Sequence, residues 1–457
     1  MTQIPPPQET SAPQENSPPR PQTPSGGAVR ASPGPSIGRL VGLDLARALA
    51  VFGMYIVHIA PMPSAGNDLG SWVYSLAEGR SSALFATLAG FSLMLIAGRL
   101  EPKTGLAGRR AKARIAIRAV ILLTLGTVLA MEYGDIIILA YYGVYFLLAL
   151  FLVRLSARTL AIIAAGIALV MPQLAFVLKM WLSDSVQQSI NAYDPLEKLS
   201  TVGVLDLLLT GLYPTITWMA FVIAGMALAR LDLTAATVQR RLAALGASLT
   251  VGAYGLATLL GGTSAVLSFR GGGGPSSGSG SGPMGNGSMG SGSGAGSMGN
   301  GSMGSGSGAE SMGSGSGAES MGSGSMGSGS GGPVQSASDL LGAVSHTGTT
   351  LDTIGCLGVA ILVIVGATVA IDRLPRLRRL AKPVIAVGTM SLTAYVGHFL
   401  AQSAWPASGA GTTKSWVPVL TYILGAIVFA AIWSRFFRRG PLEYLLNAAT
   451  KPAQYIR

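Results

Sequence analysis

The chain has 457 residues, of which only 11% are charged, with a mean hydropathy of +0.50 and a net charge of +12. A soluble domain carries nearer one quarter charged residues, so clustered charges between long apolar runs point to a bilayer as solvent. With those runs set aside no basic folded domain remains, which excludes nucleic-acid binding, and the single cysteine, Cys356, excludes an intrachain disulfide.

Residues 1–36, rich in Pro, Gln and Ser, have no apolar stretch and read as a disordered tail. No cleavable signal peptide is visible, because the first apolar run starts near Leu40 behind Arg20, Arg30 and Arg39. Ten spans are predicted, at 40–60, 80–98, 115–131, 136–153, 159–180, 207–229, 242–266, 351–371, 384–402 and 417–436, so the fold class is an all-α, polytopic membrane helix bundle. The first seven fall in a transmembrane domain at 37–270 and the last three in 334–457. Between them, residues 271–333 repeat Gly-Ser-Met-Gly units and read as a flexible linker with no core. A surface insertion explains it, since lengthening a loop costs little closure entropy.

Lys and Arg set the orientation. The loop 99–118 carries Arg99, Lys103, Arg109, Arg110, Lys112, Arg114 and Arg118, and the later basic clusters fall on the same side if ten spans alternate. Loops 61–79, 132–135 and 271–350 contain no Lys or Arg, and loops 181–206 and 403–416 contain only Lys198 and Lys414. The positive-inside rule then places both termini in the cytoplasm and the linker outside, in a multi-pass protein of the cell membrane.

Ionisable residues within spans are costly and are functional candidates by default. In the first span Asp44 and Arg47 are three apart and share a face. His58 follows Arg47 by eleven positions, which returns to within about 20° of the same face and lies roughly 16 Å further along the axis. All three histidines, His58, His346 and His398, fall on the outer side, and each is a candidate general base. Three histidines also raise zinc ligation, but none forms a close-spaced ligand pair, so no metal is expected. The methionines of the linker have no His or Cys beside them and give no metal site either. In span nine Ser391, Tyr395, His398 and Gln402 form one stripe. Tyr213 sits beside Pro214, which should kink span six and free backbone carbonyls. Tyr141, Tyr142 and Tyr145 belong to span four, and Arg80, on the outer side, calls for a specific anionic partner because it opposes the charge rule. The bland readings are an aromatic belt for the tyrosines and topology determination for the basic loop; the loop could also steer a phosphorylated cofactor.

The stretch Arg39 to His58 resembles the opening of bacterial membrane proteins related to heparan-α-glucosaminide N-acetyltransferase, including the YeiB-like group. The resemblance continues through Gly79 to Gly90, Ala140-Tyr141-Tyr142-Gly143 and Gly211-Leu212-Tyr213-Pro214. It resumes in His346-Thr347-Gly348-Thr349, Gly388 to Tyr395 and Arg439-Gly440-Pro441-Leu442-Glu443. Arg47 and His58 are also similar to the Arg-x10-His signature of the other large membrane acyltransferase family, which implies that His58 is a catalytic base. The resemblance implies a membrane acyltransferase drawing on cytoplasmic acetyl-CoA or another acyl-CoA, with an envelope glycan or small molecule as acceptor. His58, His398 and His346 are then the candidate catalytic residues, Asp44, Arg47 and Arg80 candidates for holding the acyl-CoA, and Tyr141, Tyr142, Tyr213 and Tyr395 candidates for the substrate or oxyanion. A transporter or lipid exporter is the alternative, since a polar midplane and a kinked span suit it too. The oligomeric state stays open.

Overall fold

The structure, a computed structural model, describes residues 41–63, 68–200, 202–262, 266, 337–405 and 415–456. The expected tail at 1–36 and the linker at 271–333 lie outside the described residues. All the described residues belong to one unit, Val41–Arg457.

They fold as helices, with no strand among them. In chain order these are α1 (Val41–Ile59), α2 (Leu69–Ala77), α3 (Arg80–Ala97), α4 (Gly105–Tyr133), α5 (Ile138–Ala149), α6 (Ala157–Trp181), α7 (Asp184–Tyr193) and α8 (Pro195–Ser200). Next along the chain are α9 (Thr215–Ala229), α10 (Ala236–Gly261), α11 (Thr350–Arg373), α12 (Pro375–Leu380), α13 (Lys382–Thr389), α14 (Ser391–Ala404), α15 (Val417–Phe436) and α16 (Pro441–Ala449).

The centre of the bundle is the crossing of α3 and α9. Fourteen of the fifteen α9 residues are buried, as expected of a helix that is apolar all round. Small residues let the two backbones touch: a Cβ on Gly225 would lie 1.8 Å from Thr87 O, and one on Gly90 would lie 2.0 Å from Val222 O. The periphery is different. Helix α15 exposes Val417, Leu420, Leu424, Val428 and Ile432, an apolar face that suits lipid and not water.

Among the described residues seven helical stretches, one of them α2 and α3 together as Leu69–Ala97, are long and apolar enough to cross a membrane, or eight if the pair α13–α14, bent by 86°, is one span. Ten were expected. The difference lies at α5 and α9, whose 12 and 15 residues give only about 18 and 23 Å of helix. Predicted span six breaks at Gly211–Pro214, with a single π turn at Asp206–Thr210 before it. As the proline implied, carbonyls are freed there and taken up: Tyr145 Oη donates to Tyr213 O at 2.5 Å and Thr215 Oγ1 to Leu207 O at 2.6 Å. Two predicted loops also contain helix, α2 in 61–79 and α7 with α8 in 181–206.

Spans two, four and six should end on one side, and the helix ends meet accordingly. Arg230 donates to Gly98 O, Arg99 O and Val153 O, while Arg99 donates to Ala229 O and Leu231 O. Two guanidinium groups thus satisfy the carbonyl-rich C-terminal ends of α3, α5 and α9, where cations also suit the helix dipoles.

Candidate active site

The site grows from the C-terminal half of α1 and from α14. Helix α1 carries no proline, and its alanines Ala46, Ala48 and Ala50 are buried against neighbours. Close packing extends to α13, where a Cβ on Gly388 would fall 1.7 Å from Asp44 O. Helix α14 restarts after the bend at Met390, and its exposed first N–H groups are satisfied from far along the chain. Glu443 accepts from Leu392 N at 2.7 Å, Thr393 N at 3.1 Å and Thr393 Oγ1 at 2.5 Å. A carboxylate on a helix N-terminus is favoured by both hydrogen bonding and the dipole.

This restart brings the stripe Tyr395, His398 and Gln402 against α1. His58 Nδ1 lies 2.9 Å from His398 Nε2, and the rings are nearly parallel at 11° with centroids 5.2 Å apart. His398 Nδ1 meets the backbone carbonyl of Tyr395. Gln402 Nε2 donates to His58 O at 3.3 Å, and Tyr55 Oη donates to Ala394 O at 2.7 Å. Phe399 packs on both imidazoles, 5.1 Å from His58 and 4.0 Å from His398. Tyr133 Oη, at the end of α4, donates to Phe399 O at 2.8 Å.

A carbonyl oxygen only accepts, so the His398 proton belongs on Nδ1 and its Nε2 offers a lone pair. His58 Nδ1 must then be the N–H that donates to it, which leaves His58 Nε2 as the basic nitrogen. Exposure divides the pair in the same sense: His398 is 2% exposed, whereas His58 is half-buried.

His346 lies within electrostatic reach of His58, so the structure brings the three histidines into one region. It sits in the loop before α11 with φ at 64°, a left-handed conformation that is uncommon outside glycine. Its ring stacks on Trp218 at 6.0 Å and meets Tyr213 edge-on at 5.4 Å, and its Nδ1 is buried with no hydrogen-bond partner. Burial first and the Arg80 charge second lower its pKa from 6.5 to about 4, so it is neutral at pH 7. It helps to line a cavity of about 40 Å³ together with Lys179, Thr217 and Pro214.

The tyrosines connect these points. Tyr395 accepts from Ile138 N at 3.3 Å and packs 6.1 Å from Phe85, which lies 5.7 Å from Tyr142. The Tyr142 hydroxyl is buried without a hydrogen-bond partner. Tyr141 meets Tyr213 edge-on at 5.4 Å.

The candidates for holding acyl-CoA are separated. Arg47 bonds Asp44 at 2.6 Å, as their spacing implied, and reaches Ser92 on α3 at 2.9 Å. This pair is about 16 Å along α1 from His58. Arg80 is 7% exposed and donates to Ser75 O at 2.6 Å, Glu78 O at 3.3 Å and Ser345 Oγ at 3.3 Å, with its guanidinium 4.8 Å from the Tyr254 ring. These contacts tie the start of α3 to the loop that carries His346. Among the described residues no group of three His, Cys, Asp or Glu could hold a metal ion.

Sequence reasoning missed Tyr55, Phe399 and Tyr133 as packing partners of the pair. Tyr55 was within reach of the pattern, lying one helical turn before His58; the other two needed the helix pairing itself.

Residues 39–265 match the family described as Heparan-alpha-glucosaminide N-acetyltransferase, catalytic, and residues 334–452 match the family described as Protein of unknown function (DUF418). His58 belongs to the first segment and His398 to the second, so the imidazole pair is built across both. No curated protein and no solved structure gives a significant match. The chain is a multi-pass membrane protein that belongs to the heparan-α-glucosaminide N-acetyltransferase-like and YeiB-like group of the transmembrane acyltransferase superfamily.

Proposed function

We propose that the protein is a membrane-bound acyltransferase that moves an acyl group, acetyl in the first instance, from cytoplasmic acyl-CoA to a hydroxyl or amine of an envelope glycan or similar acceptor outside. One observation carries the assignment of roles: the contact between His58 Nδ1 and His398 Nε2, with His398 held on a carbonyl. It orients a partly exposed imidazole with its basic nitrogen free to face a substrate, the arrangement that general-base catalysis needs.

In the reaction, His58 Nε2 takes the proton of the acceptor O–H or N–H as the acceptor atom attacks the thioester carbonyl carbon. The tetrahedral intermediate carries its negative charge on the former carbonyl oxygen, and we assign its stabilisation to the Tyr142 hydroxyl, which is buried without a hydrogen-bond partner and so has a proton to donate. When the C–S bond breaks, the CoA sulfur takes the proton back from the His58 imidazolium. His398 accepts the His58 Nδ1–H throughout and fixes the tautomer. The part-buried pair Asp44–Arg47 anchors α1 to α3 through Ser92 at the donor end, and Arg80 positions the His346 loop. Both termini lie in the cytoplasm of a plasma-membrane protein in this scheme, with the basic clusters on the donor side. The family matches speak for transfer chemistry and lend nothing to the transporter alternative.

Incubating the purified protein with radiolabelled acetyl-CoA and isolated envelope fractions tests the reading. Label should move to an envelope component; absence of transfer with a panel of acyl-CoA donors would remove it.

A further inference from the structure

Away from the histidines, an uncompensated cluster of positive charge forms where α4 meets the chain between α15 and α16. Arg114 and Arg118 are four apart in α4 and share a face. Arg439 immediately precedes Gly440, the residue before α16, and α16 packs on α4. Arg114 and Arg439 both lie within electrostatic reach of Arg118. Like charges so placed repel, and Arg118 is partly withdrawn from solvent, with a buried Nε that has no hydrogen-bond partner. Among the described residues no carboxylate forms an ion pair with any of the three.

The carboxylate best placed in sequence is committed elsewhere: both oxygens of Glu443 accept from the start of α14. Arg114 and Arg439 are exposed, but the backbone that carries Arg439 is fixed. Trp433 Nε1 donates to Arg439 O at 2.8 Å, and Gly440 is so closely packed that a Cβ would lie 2.2 Å from Glu443 Oε2. Arg110 Nε donates to Ile456 O at 3.1 Å, which ties the C-terminal segment to the same helix. A built cluster of three guanidinium groups without an acid wants an anion, and the planar fork of Arg matches phosphate oxygens.

We propose that Arg114, Arg118 and Arg439 form a seat for the phosphate of a phosphorylated ligand. The identity of that ligand rests on the acyl-CoA reading: CoA offers a ribose 3′-phosphate and a diphosphate, whereas an anionic lipid offers the same chemistry from the bilayer. Position favours the nucleotide. Helix α4 runs about 22 Å from Arg118 to Tyr133, whose hydroxyl meets Phe399 beside the imidazole pair. CoA separates its phosphates from its thioester by the long pantetheine arm, so it needs a phosphate seat far from the base.

The test uses the full-length protein in nanodiscs of phosphatidylcholine. CoA and dephospho-CoA are titrated against the wild type and the Arg118→Gln, Arg439→Gln and Arg118→Lys variants, following thermal midpoint and affinity. CoA should bind the two Gln variants at least about tenfold more weakly than the wild type, and Arg118→Lys, which keeps the charge, should lose less. The preference of the wild type for CoA over dephospho-CoA should shrink in the variants. If CoA binding is unchanged but stabilisation by added phosphatidylglycerol is lost in the variants, the seat stands and its phosphate comes from lipid. Unchanged responses to both ligands, in variants with wild-type melting in their absence, would overturn the seat while leaving acyl transfer itself intact. Conversely, phosphate-dependent stabilisation in a wild type that transfers no acyl group would retain the seat and remove the enzyme reading.

Discussion

At the residue scale, the proposed reaction turns on a division of labour between two imidazoles. By position alone His58 and His398 were equal candidates for the base, because each lies near the outer end of its span, and only the Arg-x10-His resemblance favoured His58. The carbonyl of Tyr395 separates them by claiming the His398 Nδ1 proton. His398→Gln should therefore lower kcat by roughly 10–100-fold, the scale seen when a partner that orients an imidazole is lost, and leave the acyl-CoA KM unchanged. Its pH–rate profile should move as well, since the basicity of His58 Nε2 depends on the hydrogen bond at Nδ1. A third imidazole gives a stability prediction. Folding lowers the His346 pKa from 6.5 to about 4, so between these pH values the unfolded chain takes up a proton that the native chain refuses. The His346 contribution is complete above pH 6.5 and is lost as pH falls through about 4. Thermal midpoints of the wild type and of His346→Gln, measured from pH 7.5 to 4, should show a shallower acid decline in the variant; parallel curves would contradict the shift.

At the element scale, helix contacts rest on glycine. Gly225 and Gly90 let α9 and α3 touch backbone to backbone. Gly225→Ala should destabilise by about 1–3 kcal/mol through overpacking, read as a lower thermal midpoint in detergent. Gly166→Ala in α6, where nothing lies within 4 Å of the added carbon, should be neutral or mildly stabilising through helix propensity. Equal effects would mean that the close crossing is unimportant. Most helices were legible in the sequence, because a span of apolar residues and its basic flanks are local signals. The bend at Met390 was not: the 384–402 run has no proline or charged residue to break it, and the Glu443 carboxylate that satisfies the restart lies some fifty residues further on. The shortness of α5 and α9 was hidden for a similar reason, since hydropathy cannot tell a helix packed in protein from one facing lipid. In the site, the stripe Tyr395–His398–Gln402 could be read from spacing, while its pairing with His58 could not.

At the scale of the whole molecule, matched segments 39–265 and 334–452 meet in one imidazole pair, and Arg99 with Arg230 gathers helix ends expected on one side. The topology predicts that Cys at the exposed position Gln188, in a background with Cys356 replaced, reacts with an impermeant thiol reagent in intact cells. Cys at exposed Arg109 should react only after permeabilisation; labelling of 109 from outside would reverse the orientation. The central claim, that His58 is the base and His398 its positioning partner, is tested most directly by single-turnover acetyl transfer from radiolabelled acetyl-CoA in the wild type, His58→Gln and His398→Gln. The account predicts a loss of about 10²–10⁴-fold for His58→Gln, with acyl-CoA binding preserved, and a smaller loss for His398→Gln. Near-full transfer by His58→Gln together with inactivity of His398→Gln would contradict it.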